Sequence, residues 1–227
     1  MKREIITTGD GSKTIHIPEW NEQYHSKHGA IQEAQHVFLQ TGLQYYVDIR
    51  ERADNTPISI LEIGFGTGLN ALLTFYKARE LKRTIRYVGV EAFPVVSEEA
   101  MEMEYANQLK DIGAKTIYES LHEASWEKSI LISQEFELTK REQRFEEIID
   151  TDSFDLIYFD AFGPRVQPEL WTEAIFLKMY NALKSKGILT TYCAQGAARR
   201  AMQSAGFEVE RLPGPPGKRE MLRATKH

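Results

Sequence analysis

The feature that most constrains this 227-residue chain lies at residues 58–70. A short apolar run, Ile58-Ser59-Ile60-Leu61, passes through Glu62-Ile63 straight into Gly64-Phe65-Gly66-Thr67-Gly68-Leu69-Asn70, and residues 69–81 carry apolar side chains at helical spacing. Glycines at alternate positions between a strand and a helix let the backbone approach a ligand and aim helix N–H groups at it. Such a junction predicts an open α/β sheet with a nucleoside-type cofactor beyond the carboxyl end of the first strand. Counted from Gly64, the nicotinamide fingerprint would place its third glycine at Leu69. Counted from Gly66, the run ends at Ala71 and fits the looser form of that fingerprint, so a dinucleotide stays open.

The rest of the chain continues the alternation. Residues 4–20 read as a hairpin turning at Gly9-Asp10-Gly11-Ser12, and residues 29–52 as helix interrupted near Gly42. After the glycine loop, residues 85–90 read as a second strand, and residues 97–109 as a helix capped by Ser97. Residues 112–134 read as helical or irregular, 135–139 as a third strand, and a helix is expected from Glu142. Strands at 154–159, 187–192, 207–210 and 220–224 alternate with helices at 169–183 and 197–205. The pattern predicts a mostly parallel sheet with helices on both faces. Residues 1–52 are expected to form an extension, hairpin plus helix, packed on a catalytic domain of residues 53–227.

Composition narrows the function classes. The lone cysteine, Cys193, excludes a disulfide framework and a Cys-rich zinc module. No apolar run approaches the ~20 residues of a membrane span, and Met1-Lys2-Arg3-Glu4 does not open a signal sequence. A cytoplasmic protein without a membrane partner is expected. His25 and His28 have no third ligand nearby, so they read as a surface pair and no metal is expected. G-x-S-x-G, H-E-x-x-H and C-x-x-C are absent from the sequence, which leaves hydrolase, zincin and dithiol chemistry without support. The net charge of −5 hides an asymmetry. Acids crowd residues 91–155, whereas from Lys178 onward bases dominate, among them Arg199, Arg200, Lys218 and Arg219. A local basic face attracts phosphates whatever the total charge.

Two carboxylates stand at strand ends. Glu91, about 20 residues past the glycine loop, suits acceptance from two ribose hydroxyls. Asp160 follows the buried-looking strand 154–159 and opens Asp160-Ala161-Phe162-Gly163-Pro164, on the same sheet edge as the glycines. The spacing Glu62-x-Gly64-x-Gly66-x-Gly68 resembles the first motif of class I S-adenosylmethionine-dependent methyltransferases.

The wider set of motifs resembles one family, the methyltransferase domain of the MnmC proteins, which complete 5-methylaminomethyl on the wobble uridine of tRNA. The resemblance rests on residues 64–70, Glu91-Ala92-Phe93-Pro94, residues 160–164 with Pro168-Glu169-Leu170-Trp171, Thr191-Tyr192, Arg199-Arg200, Ala205-Gly206-Phe207 and Gly217-Lys218-Arg219-Glu220-Met221-Leu222. It implies a Rossmann-like class I sheet with an antiparallel last strand. It also implies methyl transfer from S-adenosylmethionine to the amine of 5-aminomethyl-(2-thio)uridine. Glu62, Gly64, Phe65, Gly66, Thr67, Gly68, Asn70 and Glu91 would serve the cofactor, and Asp160 the reacting amine. Where the family has Gly-Asp after the third strand, this chain has Arg141-Glu142, so Glu142 is the substitute contact for adenine. In the Asp160 loop, Ala161 and Gly163 exchange the family's usual small residues. Phe162 and Tyr192 would frame the base by stacking, and Arg199, Arg200, Lys218 and Arg219 would meet tRNA phosphates. The family's FAD-binding oxidase segment is not in this sequence, so a stand-alone methyltransferase fed by separate enzymes is expected. Two other readings remain: a methyl- or aminopropyltransferase acting on a free small amine, and a catalytically silent tRNA-binding module.

Overall fold

The computed structural model describes residues 2–50, 56–109 and 111–227. The polar turn at Gly9-Asp10-Gly11 joins β1 (Glu4–Thr7) to β2 (Lys13–Ile17) as an antiparallel hairpin, and β3 (Glu22–Gln23) adds a short third strand. Helix α1 (Ala30–Ala34) runs on without a break through a π-helical stretch, Gln35–Gln44, into α2 (Tyr45–Asp48). Gly42 therefore does not interrupt this helix. It allows close approach instead: a Cβ there would lie 3.2 Å from Thr190 Oγ1 and 3.3 Å from the Tyr158 ring. The expected domain boundary at 52/53 falls outside the described residues.

Among the described residues the main sheet has eight strands, in the order β10 (Glu208–Pro213), β11 (Glu220–Thr225), β9 (Leu183–Thr191), β8 (Phe154–Phe159), β4 (Ile58–Ile63), β5 (Ile85–Glu91), β7 (Phe136–Glu142) and β6 (Ser129–Ser133). Its parallel centre is β9, β8, β4, β5 and β7. The last strand, β11, is antiparallel to β9, as the resemblance implied, and β10 lies outside it. Helices α3 (Leu69–Leu81) and α5 (Ala114–Glu123) pack on one face with the N-terminal helical run. That face buries Val37, Phe38, Leu72, Phe75, Tyr87, Phe136 and Tyr158. Helices α6 (Glu173–Ala182) and α7 (Gly196–Ser204) cover the other, over Leu61, Ile63, Ile157, Phe159, Phe176 and Met202. Fully burying one such side chain stabilises by about 1.5–3 kcal/mol, so both faces anchor the strand ends that carry the site.

Several expected elements differ. The region 112–134 holds α5 and then a strand, β6 (Ser129–Ser133), antiparallel to β7 at the sheet edge. The helix expected from Glu142 reduces to one 3-10 turn, Phe145–Glu147, because β7 runs to Glu142 and Phe145 and Ile148 are both drawn into the core. The helix expected at 97–109 splits into α4 (Ser97–Met101) and a 3-10 turn, Tyr105–Gln108, and Ser97 is its first residue rather than its cap. A 3-10 turn, Pro168–Trp171, precedes α6.

Candidate active site

The register of the parallel strands gathers the sequence-predicted residues on one edge. Ile63 pairs with Phe159, so the glycine loop and Asp160 leave the sheet side by side, and the Asp160 N–H donates to the Ile63 carbonyl at 2.9 Å. A Cβ at Gly64 (φ 90°) would lie 2.8 Å from the Asp160 carbonyl oxygen, which explains why glycine stands there. Gly66 and Gly68 also adopt positive φ, at 51° and 71°.

On the cofactor side, Glu91 is oriented by two backbone amides. Gly66 N–H donates to its Oε2 and Phe93 N–H to its Oε1, each at 3.0 Å. Thr67 is buried and braced. Its carbonyl accepts from Tyr118 Oη at 2.6 Å, and its Oγ1 meets Tyr105 Oη at 3.2 Å. Phe65 turns inward over Gly89, where a Cβ would come within 2.4 Å of its ring. Phe65, Gly66, residues 94–98, His122, Trp126 and Lys140 line a cavity of about 360 Å³. Lys140 closes its floor, donating to the His122 carbonyl at 2.6 Å with its ammonium 4.9 Å from the Trp126 ring centre. Burial lowers its pKa to about 8. Glu142 stands level with Glu91 at the end of β7, exposed, and its N–H donates to Glu127 Oε1 at 2.7 Å.

On the other side, Asn70 Nδ2 donates to both Asp160 Oδ2 and Glu62 Oε1 at 2.9 Å. Glu62 is fully buried, and burial, reinforced by the Asp160 charge, pushes its carboxyl well above the usual range against the Asn70 hydrogen bond. Burial first, then the Glu33 charge, raise Asp160 to about 7, while the Asn70 hydrogen bond and Lys218 pull it back. The Asp160 loop is clamped at two carbonyls: Tyr192 Oη donates to Ala161 O at 2.8 Å and Trp171 Nε1 to Phe162 O at 2.7 Å. The Phe162 ring stands edge-on to Trp20 and Tyr24, with centroids 5.4 Å and 5.0 Å away. Arg165 ties the same segment down through Trp20 O, Asn21 O and Glu22 Oε2.

The basic residues divide. Arg200 and Arg219 are exposed and Arg199 half-buried, all on segments that follow β9. Lys218 turns inward, its Nζ 2.5 Å from Glu33 Oε2 and 3.8 Å from the centre of the Tyr192 ring. Glu210 pairs with Arg223 and Glu208 with His227, so neither takes Arg219. His25 is buried, not at the surface as its spacing suggested. Its N–H donates to Thr14 Oγ1, and burial lowers its ring to about 4. Sequence reasoning missed Trp20, Tyr24, Glu33, Trp126 and Lys140. Glu33 left a legible signal: an acid at helical spacing among the apolar Ala30, Ile31, Ala34 and Val37.

These residues fit a nucleoside cofactor bearing an amino acid. Glu91 is pre-set to accept from hydroxyls, the glycine turn leaves room, and Asn70 Oδ1 is a buried acceptor with no partner among the described residues. Residues 118–227 match a family described as S-adenosyl-L-methionine-dependent methyltransferase. Fold, site and match together define the chain as a methyltransferase that uses S-adenosyl-L-methionine.

Within that class it is MnmC-like. It is 30% identical over 232 residues to the tRNA 5-methylaminomethyl-2-thiouridine biosynthesis bifunctional protein MnmC of Cupriavidus metallidurans, covering 96% of this chain and 33% of that protein. It is likewise 30% identical to the MnmC protein of Delftia acidovorans, over 99% of this chain and 35% of that one. The chain thus spans about a third of the length of these curated relatives. In fold it matches MnmC2 from Aquifex aeolicus, with a TM-score of 0.77 at 24% identity, over 100% of this chain and 70% of that one. Spermidine synthase from Thermotoga maritima shares the fold at a TM-score of 0.60 and 16% identity, over 99% of this chain and 69% of that one.

Proposed function

We propose that the chain transfers a methyl group from S-adenosylmethionine to the primary amine of 5-aminomethyl-(2-thio)uridine at the wobble position of tRNA, in the cytoplasm. The observation that carries this reading is the juxtaposition of the Asp160 loop with the glycine loop, held at 2.9 Å through Ile63. The curated relatives' name supports the substrate, since 5-methylaminomethyl-2-thiouridine bears its methyl on an amine. An enzyme that exposes the primary amine would act first.

When bound, the cofactor supplies an electrophilic methyl on a sulfonium. Glu91 accepts from the ribose hydroxyls, and Gly64, Gly66 and Gly68 leave room for the backbone to approach. Asn70 offers an acceptor to the amino acid end, and Glu62 orients Asn70 by accepting from its Nδ2. Phe65 and Thr67 brace the turn, and Glu142 lies at the edge assigned to adenine. The transfer itself is an in-line displacement that needs positioning above all. The nucleophile must be neutral, and an alkyl amine with a pKa of about 10.4 loses its proton at a cost of about 4–5 kcal/mol at pH 7. A desolvated pocket reduces that cost. Asp160, raised to about 7, is a better proton acceptor than an ordinary aspartate and orients the amine through its carboxyl. Phe162 and Tyr192 frame the base, and Arg199, Arg200 and Arg219 hold phosphates.

The test supplies labelled S-adenosylmethionine with tRNA carrying aminomethyl uridine, and in parallel with free di- and polyamines. Label in the wobble nucleoside supports the reading. Label only in free amines establishes the small-amine alternative. Cofactor binding without any transfer establishes a silent binding module.

A further inference from the structure

Asp160 lies near an ion pair, its carboxylate buried and its ammonium half-buried, that joins two ends of the chain. Glu33 of α1 is only 5% exposed. One of its oxygens accepts from the Ser26 N–H at 3.0 Å and the other from Lys218 Nζ at 2.5 Å. Lys218 reaches it from the turn between β10 and β11, crossing the Tyr192 face at 3.8 Å. Tyr192 in turn holds the Ala161 carbonyl, one residue from Asp160. Burying the Glu33 carboxylate costs solvation that packing alone does not require, and an apolar residue of similar size fills such a place as well or better.

We propose that Glu33 and Lys218 are positioning residues of the acceptor site, a fixed ion pair that braces Tyr192 against the Asp160 loop and governs proton exchange at Asp160. The inference rests on the reading that Asp160 faces the reacting amine. Lysine is a flexible point charge, and Glu33, pinned by Ser26, fixes its half-buried ammonium over the Tyr192 ring. A cation fixed there favours both the carboxylate of Asp160 and the neutral form of an incoming amine, whereas the Glu33 charge acts on Asp160 in the opposite sense. The pair therefore holds Asp160 between two opposed fields.

The other groups facing Asp160 are Glu62 of β4 behind Asn70, Tyr87 of β5, Tyr105 of the 3-10 turn and Tyr192 after β9. His25 and Cys193 face the ion pair itself, and burial pushes the Cys193 thiol up. Burial keeps the three tyrosines and His25 neutral between pH 5 and 9, so they do not titrate through the window of Asp160.

The experiment follows the Asp160 carboxyl by carbon NMR on aspartate-labelled protein, its resonance assigned by its loss in Asp160→Asn. The pH profile of methyl transfer is recorded on the same variants. Glu33→Gln is expected to move the Asp160 midpoint down by about one pH unit and Lys218→Met to move it up by about as much. Lys218→Arg keeps the wild-type midpoint. The acidic limb of the rate profile follows the same order. Midpoints that stay fixed, or move in one direction in both variants, overturn the proposal. So does a Lys218→Met chain that fails to fold while Glu33→Gln leaves the midpoint fixed, since the pair is then a strap alone. Opposed NMR shifts without any methylation of tRNA retain the ion-pair assignment and discard the tRNA reading.

Discussion

At the residue scale, Asp160 is unusual in being disfavoured as an ion by the fold that holds it. Its carboxyl is raised to about 7 by burial and by Glu33, from an ordinary value of 3.8. A carboxyl raised in the folded state contributes stability that is present below its unfolded pKa and lost as pH rises through its folded one. Asp160→Asn is therefore expected to melt above the wild type at pH 8 and to lose that advantage by pH 4, as scanning calorimetry across pH will show. The same variant loses most of its turnover and keeps cofactor affinity within a few-fold, the signature of an acceptor-side group. Glu91→Ala should show the converse, weakening S-adenosylmethionine binding by about 1–3 kcal/mol in calorimetry through unpaired ribose hydroxyls. Affinity equal to wild type would leave Glu91 as a brace for Gly66 and Phe93 only.

At the scale of elements, the glycine loop and its strand were legible because three constraints coincide within residues 58–70: an apolar strand, a turn that only glycine tolerates, and a helix start. Glu91 and Asp160 were legible because each ends a buried strand. What the sequence concealed is short or edge-bound. β6 spans five residues with Leu131 and Ser129 exposed, so its alternation is too brief to separate from a helix end. The Glu142 segment has helical spacing at Phe145 and Ile148, and the chain spends it on one turn before entering β8. Long-range partners such as Trp20 and Tyr24 left only faint local signals, because their roles arise from contacts with residues more than a hundred positions away. The loop geometry itself yields a prediction. Gly64→Ala adds a Cβ at φ 90° within 2.8 Å of the Asp160 carbonyl, so the two strand ends must part. Both cofactor affinity and turnover should fall, with a lower melting temperature, because a non-glycine residue there is strained as well as crowded. An alanine variant with normal kinetics would show that the loops need not touch.

At the scale of the whole molecule, a net charge of −5 and a proposed polyanionic substrate are reconciled by where the charges lie. The acids of residues 98–104 sit on α4 and the turn after it, before β7, whereas Arg199, Arg200 and Arg219 lie on segments that follow β9 and precede β11. Lys218, which looks from the sequence like a partner of Arg219 at the surface, is committed to Glu33, so it adds no free cation to that face. This separates two roles that the sequence merges, and the salt dependence of tRNA binding can tell them apart. Removing one phosphate-binding cation should make the slope of log affinity against log salt shallower by about 0.7–0.9. An Arg199→Ala/Arg200→Ala/Arg219→Ala triple variant is expected to weaken tRNA binding and flatten that slope by about two to three units, with little change in melting temperature. Lys218→Met alone is expected to leave the slope unchanged while altering the pH profile. A flattened slope in Lys218→Met would return that lysine to the phosphate surface. An unaltered slope in the triple variant would move the tRNA to another face of the molecule.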